Sequence, residues 1–333
     1  MTRKLENALT FKKTREITVP LDLEGERFDV VAAALFPEFS RNRLQYWIKQ
    51  GALRFEGEIM RSRDKVCSGG LIVLEEQLDE KIDWIAQEID IDIIMEDDSI
   101  IVVNKPAGMV VHPAAGHKDG TLVNALLNHF PQLSKIPRAG IVHRLDQDTT
   151  GLLVVAKTLV AHNSLVSQIQ ERAMERQYCA VCVGVMTGGG TVNQPIGRHP
   201  RYRKKMAVAP ERGKTAITHY RIARRFKHFS QINVQLETGR THQIRVHMDH
   251  IRHPLVGDVM YGGKNKFIAG TSKKLIKEVN LFNRQALHAQ TLSFRHPDTA
   301  QIVSFEAPLP SDLSNLLALL GEEDLDTLNT NVY

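Results

Sequence analysis

Two short segments hold most of the residues that could do chemistry. In the first, Gly140-Ile141-Val142-His143-Arg144-Leu145-Asp146-Gln147-Asp148-Thr149-Thr150-Gly151, an apolar pair leads into His-Arg-Leu-Asp, then into polar turn residues and a glycine. A buried strand follows, so Asp146 falls on a loop at a sheet edge, where reactive side chains sit on a rigid scaffold. A carboxylate there can act as nucleophile or as base. The same spacing also fits an Asx turn, with Asp146 and Asp148 capping backbone N–H groups and doing nothing more. In the second segment, Glu237-Thr238-Gly239-Arg240-Thr241-His242-Gln243-Ile244-Arg245-Val246-His247, a glycine opens a helix start rich in basic and donor groups, a natural place for an anion.

Other chemistries fit less well. His242, His247, His250 and His253 lie close together and raise a metal site. However, no carboxylate sits between them as in a zinc-protease helix and no cysteine is near, so no metal is expected. Cys179 and Cys182 lie in a segment that reads as a strand, where residues three apart point to opposite faces; they are expected in the core.

The apolar pattern gives the elements that hold these segments. Ile100-Ile101-Val102-Val103 and Leu152-Leu153-Val154-Val155-Ala156 predict buried strands, the first ending at Lys105-Pro106. Thr121 caps a helix carrying Leu122, Ala125, Leu126 and His129, and Leu165, Ile169 and Ala173 mark another helix face. Further strands are predicted at 177–185, 216–224, 230–236, 286–294 and 301–305. So many consecutive strands predict an α+β fold with a mixed, mostly antiparallel central sheet, not a doubly wound one.

Upstream lies a smaller module. Ser40 caps a helix carrying Leu44, Trp47 and Ile48, Gly51 stops it, and strands come next at 52–55 and 71–74. Arg41, Arg43, Lys49, Arg54, Arg61, Arg63 and Lys65 crowd its 41–65 stretch, diluted there only by Glu56, Glu58 and Asp64. The chain is thus expected to divide into a flexible tail at 1–17, the basic module at 18–76, an acidic linker at 77–92 whose Trp84 and Ile85 pack on the next domain, and that main domain at 93–312. Residues 313–333 are expected to form a short helix to Leu320 and then a disordered acidic tail.

Net charge +5 and a pI of about 9.0 allow a polyanionic partner without requiring one. Three cysteines are too few and too uneven for a disulfide framework. With no apolar run at the N-terminus and no stretch long enough to span a bilayer, a cytoplasmic protein with no membrane contact is expected.

His143-Arg144-Leu145-Asp146 followed by Asp148-Thr149-Thr150-Gly151 resembles the catalytic motif of the RluA/RluD-type pseudouridine synthases. Four further segments resemble the family in the same order: Asn104-Lys105-Pro106-Ala107-Gly108, Gln177-Tyr178-Cys179-Ala180, Gly239 through His247, and Arg284-Gln285-Ala286-Leu287-His288-Ala289. The module at 18–76 resembles the S4 RNA-binding domain. The resemblance covers nearly the whole chain and is nearest to the RluD-type branch, which modifies large-subunit (23S) ribosomal RNA.

The resemblance implies a pseudouridine synthase fold preceded by an S4-like domain, no cofactor, and ribosomal RNA of the large subunit or its precursor as partner; a monomer is expected. It implies Asp146 as the catalytic carboxylate, Arg245 as its ion-pair partner, Tyr178 against the uracil, and Arg144 filling the space left by an extruded base. Lys105, His143, Arg240, His242, Arg41 and Arg43 are then expected on the RNA, with the basic loop at 198–205 on phosphates. Two positions depart from the family pattern: Gln147 stands where many members carry a basic residue, and Phe55-Glu56-Gly57 stands where an Asn-Gly turn is common. Three alternatives stay open: another structured RNA such as tRNA, a non-catalytic rRNA-binding assembly factor, and a haloacid-dehalogenase-type phosphatase. The last is suggested by Asp146, Asp148 and Thr150 and would need a parallel doubly wound sheet.

Overall fold

The structure is a computed structural model that describes residues 11–37, 39, 41–77, 84–113, 117, 119–202, 204–262, 267 and 271–330. Ser40, Arg203, the 78–83 part of the expected linker and the first ten residues lie outside this set. The chain divides into two compact units, residues 1–83 and 84–333.

The first unit runs β1 (Phe11–Thr18), α1 (Phe28–Leu35), α2 (Arg41–Gln50), β2 (Leu53–Phe55) and β3 (Leu71–Gln77), with an antiparallel sheet in the order β1-β3-β2. Its core holds Phe28, Val31, Leu44, Trp47, Ile48, Leu53, Ile72 and Leu74. Each such side chain contributes about 1.5–3 kcal/mol when fully buried. The expected tail is corrected here: from Phe11 on it is a strand. Half of its residues are charged because it is an edge held by backbone pairing to β3; within Thr14–Thr18, Arg15 and Ile17 are half-buried and the others are exposed. Gly51, at φ +74°, ends α2 as expected. Glu56 and Gly57, at φ +52° and +78°, make the tight turn that Asn-Gly usually makes, with Glu56 in a backbone region glutamate seldom adopts.

The second unit runs β4 (Asp92–Glu96), β5 (Ile100–Lys105), α3 (Leu122–His129), β6 (Thr150–Ala156), α4 (Leu159–Gln170), β7 (Glu175–Val183), β8 (Gly190–Asn193), β9 (Ile196–Arg198), β10 (Met206–Val208), β11 (Ile217–Arg225), β12 (Phe229–Leu236), α5 (Gln243–His250), α6 (Lys273–Leu281), β13 (Leu287–Arg295), β14 (Ile302–Glu306) and α7 (Ser311–Thr330). The central sheet has the order β4-β5-β6-β13-β7-β12-β11-β8, with β14 on β13. Every pairing in it is antiparallel except β6 with β13. This is the mixed, mostly antiparallel sheet expected, and it removes the doubly wound frame a phosphatase of the haloacid-dehalogenase type would need.

The sheet is covered on both faces, which explains its unbroken apolar runs. Ile101, Val103, Leu153 and Val155 pack with Leu122 and Leu126 of α3, while Ile100, Val102, Leu152 and Val154 pack with Ala161 and Leu165 of α4. Trp84 packs on the first of these cores, but Ile85 is exposed and only its carbonyl is held, by Asn124. The C-terminal expectation is corrected: α7 continues through Thr330. Its acidic residues are used as acceptors, with Glu323 taking the Ser272 N–H and Asp324 the Lys227 N–H, both at 2.8 Å. Among the described residues, no helix is long and apolar enough to cross a membrane.

Candidate active site

The loop before β6 is fixed from several directions. Thr149 N–H donates to the Asp146 carbonyl at 3.1 Å, closing the turn. Lys105, at the end of β5, is buried and donates from Nζ to the carbonyls of Pro106, Met109 and Gln147 at 2.7, 2.9 and 2.8 Å. From the chain before β13, Arg284 reaches the Asp148 carbonyl at 3.2 Å and pairs with Asp312 at 2.6 Å. Gln285 donates to the Thr149 hydroxyl at 3.0 Å, and His288 meets the Thr150 hydroxyl at 2.9 Å. Gly151 lets β6 lie against β13: at its φ of +110° an added Cβ would sit 2.2 Å from the Ala289 carbonyl oxygen.

The parallel pairing sets the order of strands behind the cleft. Gly151 is opposite Ala289, Ala289 is opposite Tyr178 of β7, and Tyr178 is opposite Val234 of β12. Two strand spacings, about 10 Å, therefore separate the strand that follows Asp146 from the one that carries Tyr178.

The third wall is α5. Gln243, buried at its first turn, accepts from the Thr238 hydroxyl and Arg240 N–H and donates to the Ile217 carbonyl and Thr218 hydroxyl, all at 2.8–3.0 Å. This anchor aims Arg245 at the loop. Its Nη1 donates to Asp146 Oδ2 at 3.0 Å, while Nε and Nη2 grip the buried Asp258 carboxylate at 2.6 and 2.9 Å. The two carboxylates outweigh burial and raise the Arg245 pKa further, Asp258 being the larger cause of the two. The Arg245 guanidinium also lies over the Tyr261 ring, 5.0 Å from its centroid.

These groups line a cleft of about 880 Å³, toward the upper end of the roughly 300–1,000 Å³ of ordinary small-ligand pockets. Arg138, Arg144, Arg172, Arg176, Arg240 and Arg245 face it against two carboxylates, Asp146 and Glu237, so the field favours an anion. Tyr178 lines it too; burial raises its phenol pKa, with Asp146 adding to the shift and Arg176 opposing it, so the hydroxyl keeps its proton at neutral pH. Burial pushes His143 down to about 3 and His112 down to about 4, and both rings are neutral.

The structure brings Asp146, Tyr178, Arg245, Arg144, His143, Arg240 and His242 together around one cleft. His242 stands closer to the chemistry than expected: its Nε2 is 3.9 Å from Asp146 Oδ1 and its Nδ1 meets the Tyr261 hydroxyl at 2.8 Å. His247 is turned into the core, with contacts at both nitrogens to Thr218 and the Gln194 carbonyl. Lys105 is corrected: its ammonium is spent on three carbonyls behind the loop, so it is not free to meet a phosphate. Arg41 and Arg43 lie in the first unit. Arg41 pairs at 2.8 Å with Asp29, which is buried beside Gln45, and Arg43 stacks over Trp47. Cys179 and Cys182 are buried on opposite faces of β7, as expected.

Sequence reading missed Asp258, Tyr261 and Arg176. For Arg176 a signal existed, since two positions before Tyr178 on a strand is the same face. Asp258 stands alone in its segment, and only the fold brings it to Arg245.

Residues 99–250 match the family model described as RNA pseudouridylate synthase. The chain is 53% identical to ribosomal large subunit pseudouridine synthase D of Pseudomonas aeruginosa over 309 residues, covering 93% of this chain and 96% of that one. It is 51% identical to the protein of the same name in Xylella fastidiosa, covering 93% of each, and 51% identical to that of Vibrio parahaemolyticus, covering 90% and 92%. Among solved structures, human RNA pseudouridylate synthase domain containing 4 matches with a TM-score of 0.55 at 23% identity, covering 69% of this chain and 93% of that one. The human domain containing 1 protein matches with a TM-score of 0.50 at 25% identity, covering 71% and 96%.

Proposed function

The chain belongs to the RNA pseudouridylate synthase family, and from that premise we propose that it converts specific uridines of large-subunit (23S) ribosomal RNA to pseudouridine with Asp146 as the attacking carboxylate. The relatives' names point to that RNA, and the observation that carries the assignment of Asp146 is its ion pair with Arg245 inside a basic cleft.

The reaction breaks the N1–C1′ bond, turns the uracil and joins C5 to C1′; the proton leaves C5 and N1 gains one. No atom enters or leaves, and one carboxylate starts it, either by attack at C1′ or by taking the C2′ proton. Arg245 holds the Asp146 carboxylate in place with a hydrogen bond of 3.0 Å. Asp258 keeps Arg245 from turning away.

A stacked uridine must first leave its helix, at a cost of roughly a few kcal/mol. Arg144, exposed at the mouth of the cleft, fills the space it vacates, since a planar guanidinium can stack between bases. Tyr178 offers its ring to the uracil as a neutral wall; with a raised pKa its hydroxyl serves better as a donor than as a base. The first unit, read as S4-like, adds affinity rather than chemistry.

Pseudouridine maps of 23S rRNA from cells with and without the protein test the assignment; identical maps would remove it. Asp146→Asn should abolish turnover and leave RNA binding within about threefold, because the carboxylate works on the sugar and carries no phosphate contact. Turnover by that variant would overturn the role of Asp146.

A further inference from the structure

Arg176 stands two residues before Tyr178 on β7, so both side chains face the cleft, about 7 Å apart along the strand. Its side chain is 5% exposed. The other buried arginines among the described residues, Arg245 and Arg284, are each locked to a carboxylate. Arg176 is not: its Nε is buried without a hydrogen-bond partner, and among the described residues no carboxylate pairs with it. A guanidinium stays charged at any physiological pH, so burying one without a counter-charge is strongly unfavourable.

Two further features point to a ligand at the same place. His143 accepts the Val154 N–H at Nε2, which leaves its proton on Nδ1, and that atom too is buried without a partner. This part of the cleft therefore holds two buried donors short of acceptors, one of them a permanent cation. Opposite Arg176, Gly239 keeps the approach open, for a Cβ there would stand 2.8 Å from Arg176 Nη1. A uracil carbonyl could accept a hydrogen bond from Arg176 but could not balance its charge. A phosphodiester does both, and its two free oxygens match the guanidinium fork.

We propose that Arg176 binds the backbone phosphate flanking the extruded uridine, and so registers the nucleotide against Asp146 and Tyr178. This rests on the reading of the cleft as the seat of that uridine. Arg176 is then a positioning residue whose contact is with RNA, not a prop of the fold.

The test is RNA binding as a function of salt, using unmodified 23S rRNA transcribed in vitro. Each phosphate contact contributes roughly 0.7–0.9 to the slope of log K against log salt. Arg176→Met should lower the slope by about that amount and weaken binding roughly tenfold or more, while Arg176→Lys, which keeps the charge, should restore the slope. A folded Arg176→Met protein with the wild-type slope would overturn the proposal. A second measurement needs no variant: phosphates of the transcript are ethylated at random, and RNA bound by the wild-type protein is compared with unbound RNA. Depletion of ethylation beside the modified uridine supports the contact, and equal ethylation in both fractions overturns it. Failure of the wild-type protein to form pseudouridine at all would instead sink the underlying reading of the cleft.

Discussion

Asp146 and Asp258 hold different edges of one guanidinium. Arg245 gives two nitrogens to Asp258, which is fully buried, and the remaining one to Asp146, which faces the cleft. Neutralising the two carboxylates should therefore have unequal effects, on stability chiefly at Asp258 and on turnover chiefly at Asp146. Asp258→Ala strands a buried charge and should cost about 3–5 kcal/mol of stability. Asp258→Asn should keep the fold better yet slow turnover on the order of a hundredfold, as a misplaced Arg245 lets Asp146 drift. Asp146→Asn leaves Arg245 on Asp258 and should change stability by less than about 1 kcal/mol. Urea denaturation beside single-turnover rates checks all three; equal destabilisation by Asp146→Asn and Asp258→Ala would contradict the arrangement.

Lys105→Met should separate a loop anchor from a phosphate ligand. The substitution leaves three carbonyl oxygens near the loop without their donor, at about 1–3 kcal/mol each where they are buried. Folding stability and kcat should fall together, while the salt dependence of RNA binding by the folded protein stays that of wild type. A slope lower by one phosphate contact would return Lys105 to the RNA.

The same lysine gives a pH dependence. Burial draws its ammonium down to about 8, against the opposing pull of Asp148 and Asp146, whereas in the unfolded chain it titrates near ~10.4. Below about pH 8 both states hold the proton and the burial penalty stands in full. Between about 8 and 10.4 only the unfolded chain holds it, so this group makes stability rise with pH across that window. The loop meanwhile loses one of three N–H donors, and turnover should decline above about pH 8. The pH–rate profiles of wild type and Lys105→Met should differ in that limb; superimposable limbs would dismiss the assignment.

Gly151→Ala should prise β6 from β13. The new methyl group would meet the Ala289 carbonyl at 2.2 Å in a backbone conformation alanine seldom adopts. A loss of about 3 kcal/mol or more is expected, measured as the shift of the urea midpoint. A loss below about 1 kcal/mol would mean that the strands can part freely.

Arg144→Ala should act through base extrusion. On an RNA whose target uridine is stacked in a helix, kcat/KM should fall by roughly tenfold or more, since part of the cost of flipping goes uncompensated. On a short RNA with the same uridine unpaired the fall should be several times smaller. Equal losses on both substrates would place Arg144 elsewhere in the reaction.

Much of the molecule is legible in residue order, and the exceptions have physical causes. β5 and β6 are visible because strands covered on both faces must be apolar throughout. α3 announces itself by Thr121, whose capping box with Asn124 is formed. β1 stays hidden because an edge strand needs only backbone pairing, and its charges imitate a tail. The end of α7 is hidden by its acidity, since sequence does not tell that Glu323 and Asp324 accept N–H groups of other elements. Asp146, Tyr178 and Arg245 carry local motifs and can be found. Lys105 carries one too, yet motif membership does not distinguish a residue on the RNA from one that braces the loop. Asp258 is placed by a partner that only the folded chain reveals, and Arg176, though its strand position two before Tyr178 is readable, stands out only by the partner it lacks.

The pairing of β6 with β13 has a consequence for how the protein comes into being on the ribosome. Arg284, Gln285 and His288 brace a turn made about 140 residues earlier in synthesis, and Asp258 steadies Arg245 from beyond α5. A nascent chain that has emerged only as far as residue 250 carries Asp146, Tyr178 and Arg245 but none of these braces. The braced arrangement around Asp146 is therefore complete only when β13 lies between β6 and β7. Closure over so long a separation is slow, so the braces on the loop before β6 are among the last contacts the chain can make.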